Sequence, residues 1–447
     1  MRFYILKMNL YGIKNIDKEV ELSFYRKTLQ KKFDSKGYNV KAIYGANGSG
    51  KTAIVYAVEI YKKFVLDPDY ISLHNKNGSL EKIVNQHTGK LKIEMTFAVV
   101  GDNDKVKFIY SHYICIGKDG DRYVVEEESL KTLKGLRLNA EDKWKTLFKT
   151  SGGEFVELSD EENSKSILID ITKNLLTERS VETIVASHFN KTVRKLTETI
   201  GAIVGVFCFV HDLTVLINDS DKNYINTDEF FKNVEAINNY GRFFEEETFN
   251  QLLSHESLMS DNTVSVRKCD FGIYEKKIEN LCRFLQVFKN DLVKIDIEKK
   301  EVEDNYKCEL ILEYADGKRI SKAYESTGIK KFMNLYYALC NENNGGIVFI
   351  DEFDANIHDI VLIKIVEYIK EYSKGQFVFT THNLGPMEVL QKEKMSIDFL
   401  SNDSRITPWV KTGNNSAVNV YRRGLIKYSP FNIEPFNFLG VFDNESD

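Results

Sequence analysis

The chain has 447 residues, of which 43% are hydrophobic and 28% are charged. This composition is typical of a globular protein and excludes a disordered or collagen-like chain. The formal net charge of -5 excludes a strong overall attraction to nucleic acid, but it leaves a local basic surface open.

The cysteines and the hydropathy restrict the expected environment. The six cysteines are scattered and form no C-x-x-C pair or zinc-spaced cluster, which favours free thiols in a reducing compartment. No apolar run reaches the roughly 18 to 20 residues that span a bilayer, and the N-terminal residues lack the pattern of a signal peptide. We therefore expect a cytoplasmic protein with no membrane contact.

The first predicted elements are strands that lead into a glycine-rich loop. The apolar run from Val40 to Tyr44 is typical of a buried strand, and the residues from Thr52 to Val65 repeat apolar side chains at helical spacing. Between them, GANGSGKT matches the P-loop pattern G-x-x-x-x-G-K-[ST]. A strand, a glycine loop and a helix in this order form the context that a P-loop requires.

The P-loop motif predicts an ATP site. Its glycines allow successive backbone N–H groups to point at the β-phosphate. Lys51 is expected to bridge the β- and γ-phosphates, and the Thr52 hydroxyl is expected to bind Mg²⁺. The predicted nucleotide-binding residues of this loop are Gly45, Asn47, Gly48, Ser49, Gly50, Lys51 and Thr52.

The pattern changes twice after the P-loop. Residues from about 91 to 157 form apolar runs separated by turn signals, which predicts a β lobe. From about 165 to 295 the sequence is amphipathic and poor in glycine, which predicts helices. We therefore predict an N-terminal ATPase lobe at 1–164, a helical insertion at 165–299 that acts as a lid, dimerisation or partner-binding element, and a C-terminal ATPase lobe at 300–447.

Two strand-end motifs follow in the C-terminal lobe. The apolar run from Ile347 to Ile350 ends in Asp351 and Glu352, a Walker B candidate in which Asp351 holds the Mg²⁺ and Glu352 deprotonates the attacking water. A helix and a second short strand lead to His382. The β-α-β arrangement puts both strand ends at one edge of a sheet, where His382 is expected to reach the γ-phosphate.

Ser326 and Gly328 precede an amphipathic helix. The free N–H groups and the dipole at a helix N-terminus form an anion site, although the same pattern also suits an ordinary N-cap. The position of both residues shortly before the Walker B strand favours a phosphate-binding role.

This set of motifs resembles the ABC-type ATPases of the RecF, SMC and overcoming-lysogenisation-defect group. The resemblance implies an α/β fold, namely a P-loop NTPase head of the ABC type with an N-terminal β lobe and a helical insertion. It also implies a twofold dimer in which each ATP, with Mg²⁺, lies between two heads. The motifs that carry the resemblance are the P-loop, Ser326-Thr327-Gly328, Asp351-Glu352, Phe353 to His358 and Thr380-Thr381-His382-Asn383.

The resemblance assigns further roles. Ser326 and Gly328 would contact the γ-phosphate bound to the other subunit, Asp354 to His358 would form the D-loop, and His382 would be the switch histidine. The S-T-G signature differs from the L-S-G-G-Q of transporters, which disfavours transport. Gln86 is a candidate Q-loop residue, although a surface loop suits it better.

The segment from Lys411 to Gly424 resembles the tail of small bacterial ABC-type ATPases of anti-phage systems, namely Septu, PARIS and abortive-infection proteins. Too few residues follow His382 for an appended Toprim nuclease, so the resemblance implies a separate effector, either a nuclease or a toxin. It further implies an ATPase that assembles as a homodimer or higher oligomer and controls that effector.

Alternative functions remain open at this stage. The main rival is a RecF-like ATPase that repairs DNA or binds DNA ends, with DNA or RNA on a local basic stripe. A ribonuclease in the insertion, built on His188, His211 or His255, is disfavoured because these residues are widely spaced. A hexameric AAA+ machine is disfavoured because the S-T-G and T-T-H-N motifs suit a dimeric sandwich better.

Overall fold

The structure, a computed structural model, describes residues 1–101, 103–188, 192–193, 197–217, 263–411 and 415–426. These residues form three β-sheets with helices packed between and around them. The strands are β1 (Arg2–Tyr11), β2 (Val20–Ser23), β3 (Val40–Gly45), β4 (Lys90–Val100), β5 (Val106–Asp119), β6 (Arg122–Leu133), β7 (Trp144–Ser151), β8 (Glu154–Leu158), β9 (Leu213–Leu216), β10 (Val264–Arg267), β11 (Leu292–Val302), β12 (Asn305–Tyr314), β13 (Arg319–Ser321), β14 (Ile347–Ile350), β15 (Gln376–Thr380), β16 (Ile397–Leu400) and β17 (Ile406–Pro408). The α-helices are α1 (Lys51–Leu66), α2 (Tyr70–Asn77), α3 (Leu80–Ile83), α4 (Glu162–Thr172), α5 (Val181–His188), α6 (Glu198–His211), α7 (Phe271–Gln286), α8 (Thr327–Asn343), α9 (Asp359–Tyr372), α10 (Gly385–Leu390) and α11 (Ala417–Arg422).

The central sheet positions the predicted site. Its strand order is β17-β16-β3-β15-β14-β9, and every neighbouring pair is parallel except β16 and β17. Parallel strands place their carboxyl ends at one edge of a sheet. The P-loop after β3, the T-T-H-N motif after β15 and the Asp-Glu pair after β14 therefore lie side by side.

The two faces of the central sheet bury different helices. Alternate residues of a strand point to opposite faces. Ile347 and Phe349 of β14 accordingly belong to the core that contains α1, whereas Val348 and Ile350 belong to the core that contains α8 and α9. The P-loop helix and the helix that follows Ser326 thus pack on opposite faces of one sheet.

A seven-stranded antiparallel sheet forms the predicted β lobe. Its order is β2-β1-β4-β5-β6-β7-β8, and its apolar face shares a core with α1, α5 and α6. Helices α1, α5 and α6 therefore lie between this sheet and the central sheet. The predicted α/β fold with an N-terminal β lobe is confirmed.

The range 165–299 differs from the prediction of one helical insertion. Strand β9 pairs in parallel with β14 and completes the central sheet, while α5 and α6 pack in the ATPase core. Strands β10, β11, β12 and β13 form a third sheet that packs against α7 and α8. The helical prediction is wrong for β9, β10 and the part of β11 up to residue 299. Strands β9 and β10 pair with strands far away in the sequence, whereas β11 forms a hairpin with β12. Residues 218–262 lie outside the described residues.

Candidate ATP site

The P-loop has the backbone geometry of a phosphate cradle. Gly48 and Gly50 have φ angles of 79° and 106°, which L side chains rarely adopt. A Cβ atom on Gly45 would lie 2.5 Å from the Leu400 carbonyl oxygen, so the strand end requires glycine. The Lys51 Nζ donates hydrogen bonds to the carbonyl oxygens of Gly45 (2.9 Å) and Ala46 (3.0 Å) and thus lies across the loop.

A segment that the sequence did not single out packs on this loop. The Asn15 side-chain amide donates a hydrogen bond to the Gly48 carbonyl oxygen. A Cβ atom on Gly50 would lie 3.0 Å from the Ile16 side chain. Asn15 and Ile16 follow β1 and have no motif of their own, so only the fold reveals that they hold the P-loop.

Thr380 links the strand ends of β15 and β14. Its hydroxyl donates to Asp351 Oδ1 (2.6 Å) and accepts a hydrogen bond from the Glu352 backbone N–H (2.8 Å). Asp351 and Thr380 are buried, whereas Glu352 is exposed. Glu352 has a φ of 47°, a strained value of a kind that clusters at functional sites. Asp351 is therefore fixed in place, and Glu352 is held in a turn that leaves it accessible to a ligand.

The structure brings the charged residues of the predicted site together. Burial lowers the pKa of Lys51, and Asp351, Glu352 and Asp354 oppose this shift. Burial, followed by Lys51, lowers the pKa of His382, and the same three carboxylates oppose it. A lowered pKa keeps the imidazole neutral at pH 7, with one N–H able to donate to a phosphate.

Lys331 is a second lysine at this edge that the sequence analysis missed. Its Nζ donates a hydrogen bond to the Glu352 carbonyl oxygen (3.2 Å). Burial lowers the pKa of Lys331, and Asp351, Glu352 and Asp354 oppose this shift. The only signal in the sequence was its position one turn into the helix that starts after Ser326. Lys331 connects this helix to the Walker B turn.

Ser326 and Gly328 lie at the N-terminus of α8, a helix on the opposite face of the central sheet from α1. The Ser326 Oγ accepts a hydrogen bond from the Ile329 N–H (3.3 Å) as the N-cap of α8. A Cβ atom on Gly328 would lie 3.7 Å from the Asn356 carbonyl oxygen, so this end of α8 faces the predicted D-loop. Among the described residues, no hydrogen bond or ion pair joins either residue to residues 45–52.

The remaining candidate residues are placed as follows. Gln86 is exposed in a turn before β4. The His188 Nδ1 lies 2.9 Å from the Ile184 carbonyl oxygen of its own helix, and His211 is the last residue of α6. His255 and three residues of the tail motif, at 412–414, lie outside the described residues.

The residues at the carboxyl edge fit ATP with Mg²⁺. The Ser49 Oγ is buried and, within the described part of the chain, has no hydrogen-bond partner, although it lies in the loop that would surround a phosphate. Lys51 supplies a positive charge, while Thr52 and Asp351 offer oxygen ligands of the kind that Mg²⁺ prefers. Bound Mg²⁺ would neutralise charge on the β- and γ-phosphates.

The fold and this edge together are those of a P-loop nucleotide-binding domain. The sequence model of the family described as "AAA domain, putative AbiEii toxin, Type IV TA system" matches residues 210–387. This match begins just before β9 and includes the Walker B strand and His382, whereas the P-loop lies outside it. A comparison with curated proteins gave no match.

Two solved structures are similar to the chain over most of its length. The Smc head domain from Pyrococcus furiosus, with an extended coiled coil and bound to the C-terminal domain of ScpA, has 14% identity and a TM-score of 0.43. The similarity covers 91% of this chain and 96% of that one. The Smc head domain with a coiled coil and joint from Pyrococcus yayanosii has 13% identity and a TM-score of 0.41, with 91% and 97% covered. Within the described residues, no helix has both the length and the apolar character that crossing a bilayer requires.

Proposed function

We propose that the chain is a slowly hydrolysing ATPase that pairs two heads around ATP and thereby regulates a separate effector in anti-phage defence. The observation that carries the proposal is the position of Ser326 and Gly328. They lie at the carboxyl edge of the central sheet, but at the N-terminus of a helix on the opposite face from α1. An exposed helix N-terminus in this position suits a phosphate brought by a second subunit.

The residues of one chain supply most of the chemistry. Lys51 and the P-loop N–H groups hold the β- and γ-phosphates, and Asp351, positioned by Thr380, supports the Mg²⁺. Glu352 accepts the proton of the attacking water, and neutral His382 donates to the γ-phosphate. Without Ser326 of a partner the γ-phosphate lacks one set of donors, so hydrolysis is slow until two heads close.

The dimeric site can be tested by mixing two inactive variants. Ser326→Arg removes the signature, and Lys51→Ala removes the P-loop lysine, so each variant alone should have no turnover. In a mixed dimer, the P-loop of the first variant faces the intact signature of the second. With random pairing and independent sites, about a quarter of wild-type turnover should return in a 1:1 mixture. A mixture as inactive as its components would contradict a shared site.

The role in defence rests on separate support. The family description that names an AbiEii toxin and a type IV toxin–antitoxin system matches residues 210–387 and agrees with an abortive-infection role. The test is phage plating on cells that carry the gene with its neighbours. Wild type should reduce plaque numbers, and Lys51→Ala should not. Unchanged plaque numbers together with sensitivity to DNA damage on deletion would favour the RecF-like alternative.

A further inference from the structure

A second cluster of ionisable side chains lies inside the protein, apart from the carboxyl edge of the central sheet. His112 on β5, Glu128 on β6 and Glu182 on α5 each have 0% exposed surface. Their ligand atoms, one from each residue, all lie within 4.8 Å of one another. None of these residues takes part in the ATPase chemistry described above, so the cluster requires its own explanation.

Two of the three spacings in the cluster are close to those between the ligands of a small divalent cation. The His112 Nε2 lies 3.1 Å from Glu128 Oε1, which is also hydrogen-bond distance, and 3.5 Å from Glu182 Oε2. Zinc binds nitrogen and oxygen at about 2.0 to 2.2 Å, so neighbouring ligands of a tetrahedral ion are about 3.3 to 3.5 Å apart. Both distances agree with this separation within a few tenths of an ångström.

The groups around the cluster orient two of the three ligands. The Tyr61 hydroxyl lies 2.7 Å from His112 Nδ1, which fixes the imidazole with Nε2 towards the carboxylates. The second oxygen of Glu128 accepts a hydrogen bond from the Val181 backbone N–H (3.0 Å). A metal-binding histidine ordinarily has such a partner on its other nitrogen.

Glu182 provides the independent sign of a missing ligand. The side chain is fully buried, and by geometry neither of its carboxylate oxygens has a hydrogen-bond partner among the described residues; its polar neighbours are the His112 Nε2 at 3.5 Å and the Glu128 carboxylate. The ionisable groups that act on it are His112 and Glu128, and no lysine or arginine is among them. Burial of an unpaired carboxylate costs several kcal/mol, as an order of magnitude. A divalent cation would neutralise both glutamates at once.

We propose that His112, Glu128 and Glu182 bind one divalent cation, and that Zn²⁺ is the best match. A fourth donor would be a water molecule or the second oxygen of a glutamate. Because the ligands come from β5, β6 and α5, the ion would fasten a helix of the ATPase core to the β lobe. The competing explanation is a proton shared by two carboxyl groups, since burial raises the pKa of Glu128 to about 7 and that of Glu182 well above its usual value.

The experiment uses the full-length, nucleotide-free chain, so that no Mg²⁺–ATP occupies the P-loop. The protein is treated with a chelator, equilibrated with Zn²⁺ or Co²⁺, desalted and analysed for bound metal. Wild type should retain about one ion per chain, and Co²⁺ should give the visible absorption of a tetrahedral site. Glu182→Gln, which keeps the size of the side chain but removes its charge, should weaken Zn²⁺ binding by more than about 100-fold.

A matched control and a second measurement keep the proposal falsifiable. Glu342→Gln makes the same change at another buried glutamate, which bonds to Ser373 and Gly375, and should retain the metal. Absence of metal from wild type, or retention by Glu182→Gln, would overturn the proposal in favour of the shared proton. If Glu182→Gln does not fold, X-ray absorption at the zinc edge of the wild-type protein tests the site. Sulfur among the atoms bound to zinc, or the absence of an imidazole ligand, would exclude this site.

Discussion

Both edges of the central sheet carry polar side chains, but the hydrogen-bond partners of these side chains differ between the two edges. At the amino edge, the Gln376 side chain accepts a hydrogen bond from the Ile5 N–H (2.6 Å) and donates one to the Ile5 carbonyl oxygen (3.0 Å). Glu342 accepts hydrogen bonds from Ser373 and from the Gly375 N–H. At the carboxyl edge, the buried Ser49 hydroxyl has no partner within the described residues, and Glu352 is exposed.

This difference separates structural polar groups from functional ones. Side chains at the amino edge bond to one another and to the backbone and join β1, α8 and β15, although Glu342 Oε2 has no hydrogen-bond partner among the described residues. Those at the carboxyl edge leave donors and charges for a ligand. Substitutions at the carboxyl edge should therefore change ATP binding or turnover with little effect on stability, and substitutions at the amino edge should do the reverse.

The largest effect is expected for Lys51→Ala. The variant loses the charge-assisted hydrogen bonds to two phosphates, so ATP affinity should fall at least about 100-fold, to undetectable binding in ordinary assays. Isothermal titration with ATP and Mg²⁺ measures this loss. Lys76→Ala, which removes an exposed lysine from α2, is the control. ATP affinity equal to that of wild type would refute the P-loop assignment.

Glu352→Gln should separate binding from chemistry. Loss of a general base lowers turnover by roughly 10² to 10⁴. ATP affinity should stay close to that of wild type, because the amide keeps the shape of the side chain. Single-turnover hydrolysis and ATP titration on the same sample provide the comparison, with the exposed Glu371→Gln as the control. If turnover is undiminished, Glu352 is not the base.

The sequence predicted those parts of the site that are contiguous in the chain. The P-loop and Asp351-Glu352 each follow a short buried strand, so local pattern and spacing were sufficient. Strand β9 was missed because it has only four residues and pairs with β14, which lies far along the chain beyond the third sheet. Asn15 and Lys331 were missed for the same physical reason, since only tertiary packing brings them to the strand ends.

An intermediate effect is expected for Thr380→Val. Valine has the shape of threonine but removes the hydroxyl that bonds to Asp351 and to the Glu352 N–H. Loss of a partner that orients a metal ligand typically costs 10- to 100-fold, so turnover should fall by about this factor and the required Mg²⁺ concentration should rise. A Mg²⁺ titration of turnover measures both changes. Thr380→Ser restores the hydroxyl and should restore activity; equal defects in both variants would assign the effect to packing.

The smallest effect on activity is expected at the amino edge, where Glu342→Gln tests stability instead. Burial raises the pKa of Glu342 to about 8, against about 4.3 for an exposed glutamate. Because the folded-state pKa lies above the unfolded-state pKa, protonated Glu342 stabilises the folded protein fully below about pH 4. This contribution to the free energy of unfolding is lost as the pH rises towards 8. From pH 5 to pH 8, this one group should lower the free energy of unfolding by on the order of 3 kcal/mol.

Glu342→Gln cannot ionise, so this part of the pH dependence should disappear in the variant. The free energy of unfolding in urea, measured from pH 5 to pH 8, should fall less steeply for Glu342→Gln than for wild type. ATP turnover at pH 7 should stay near the wild-type value, because Glu342 lies at the edge opposite to Lys51. Glu371→Gln removes an exposed carboxylate from α9 and should follow wild type. If the free energy of unfolding depends on pH equally in Glu342→Gln and wild type, Glu342 is ionised in the folded protein. A fall in the turnover of Glu342→Gln would show that the two edges are not independent.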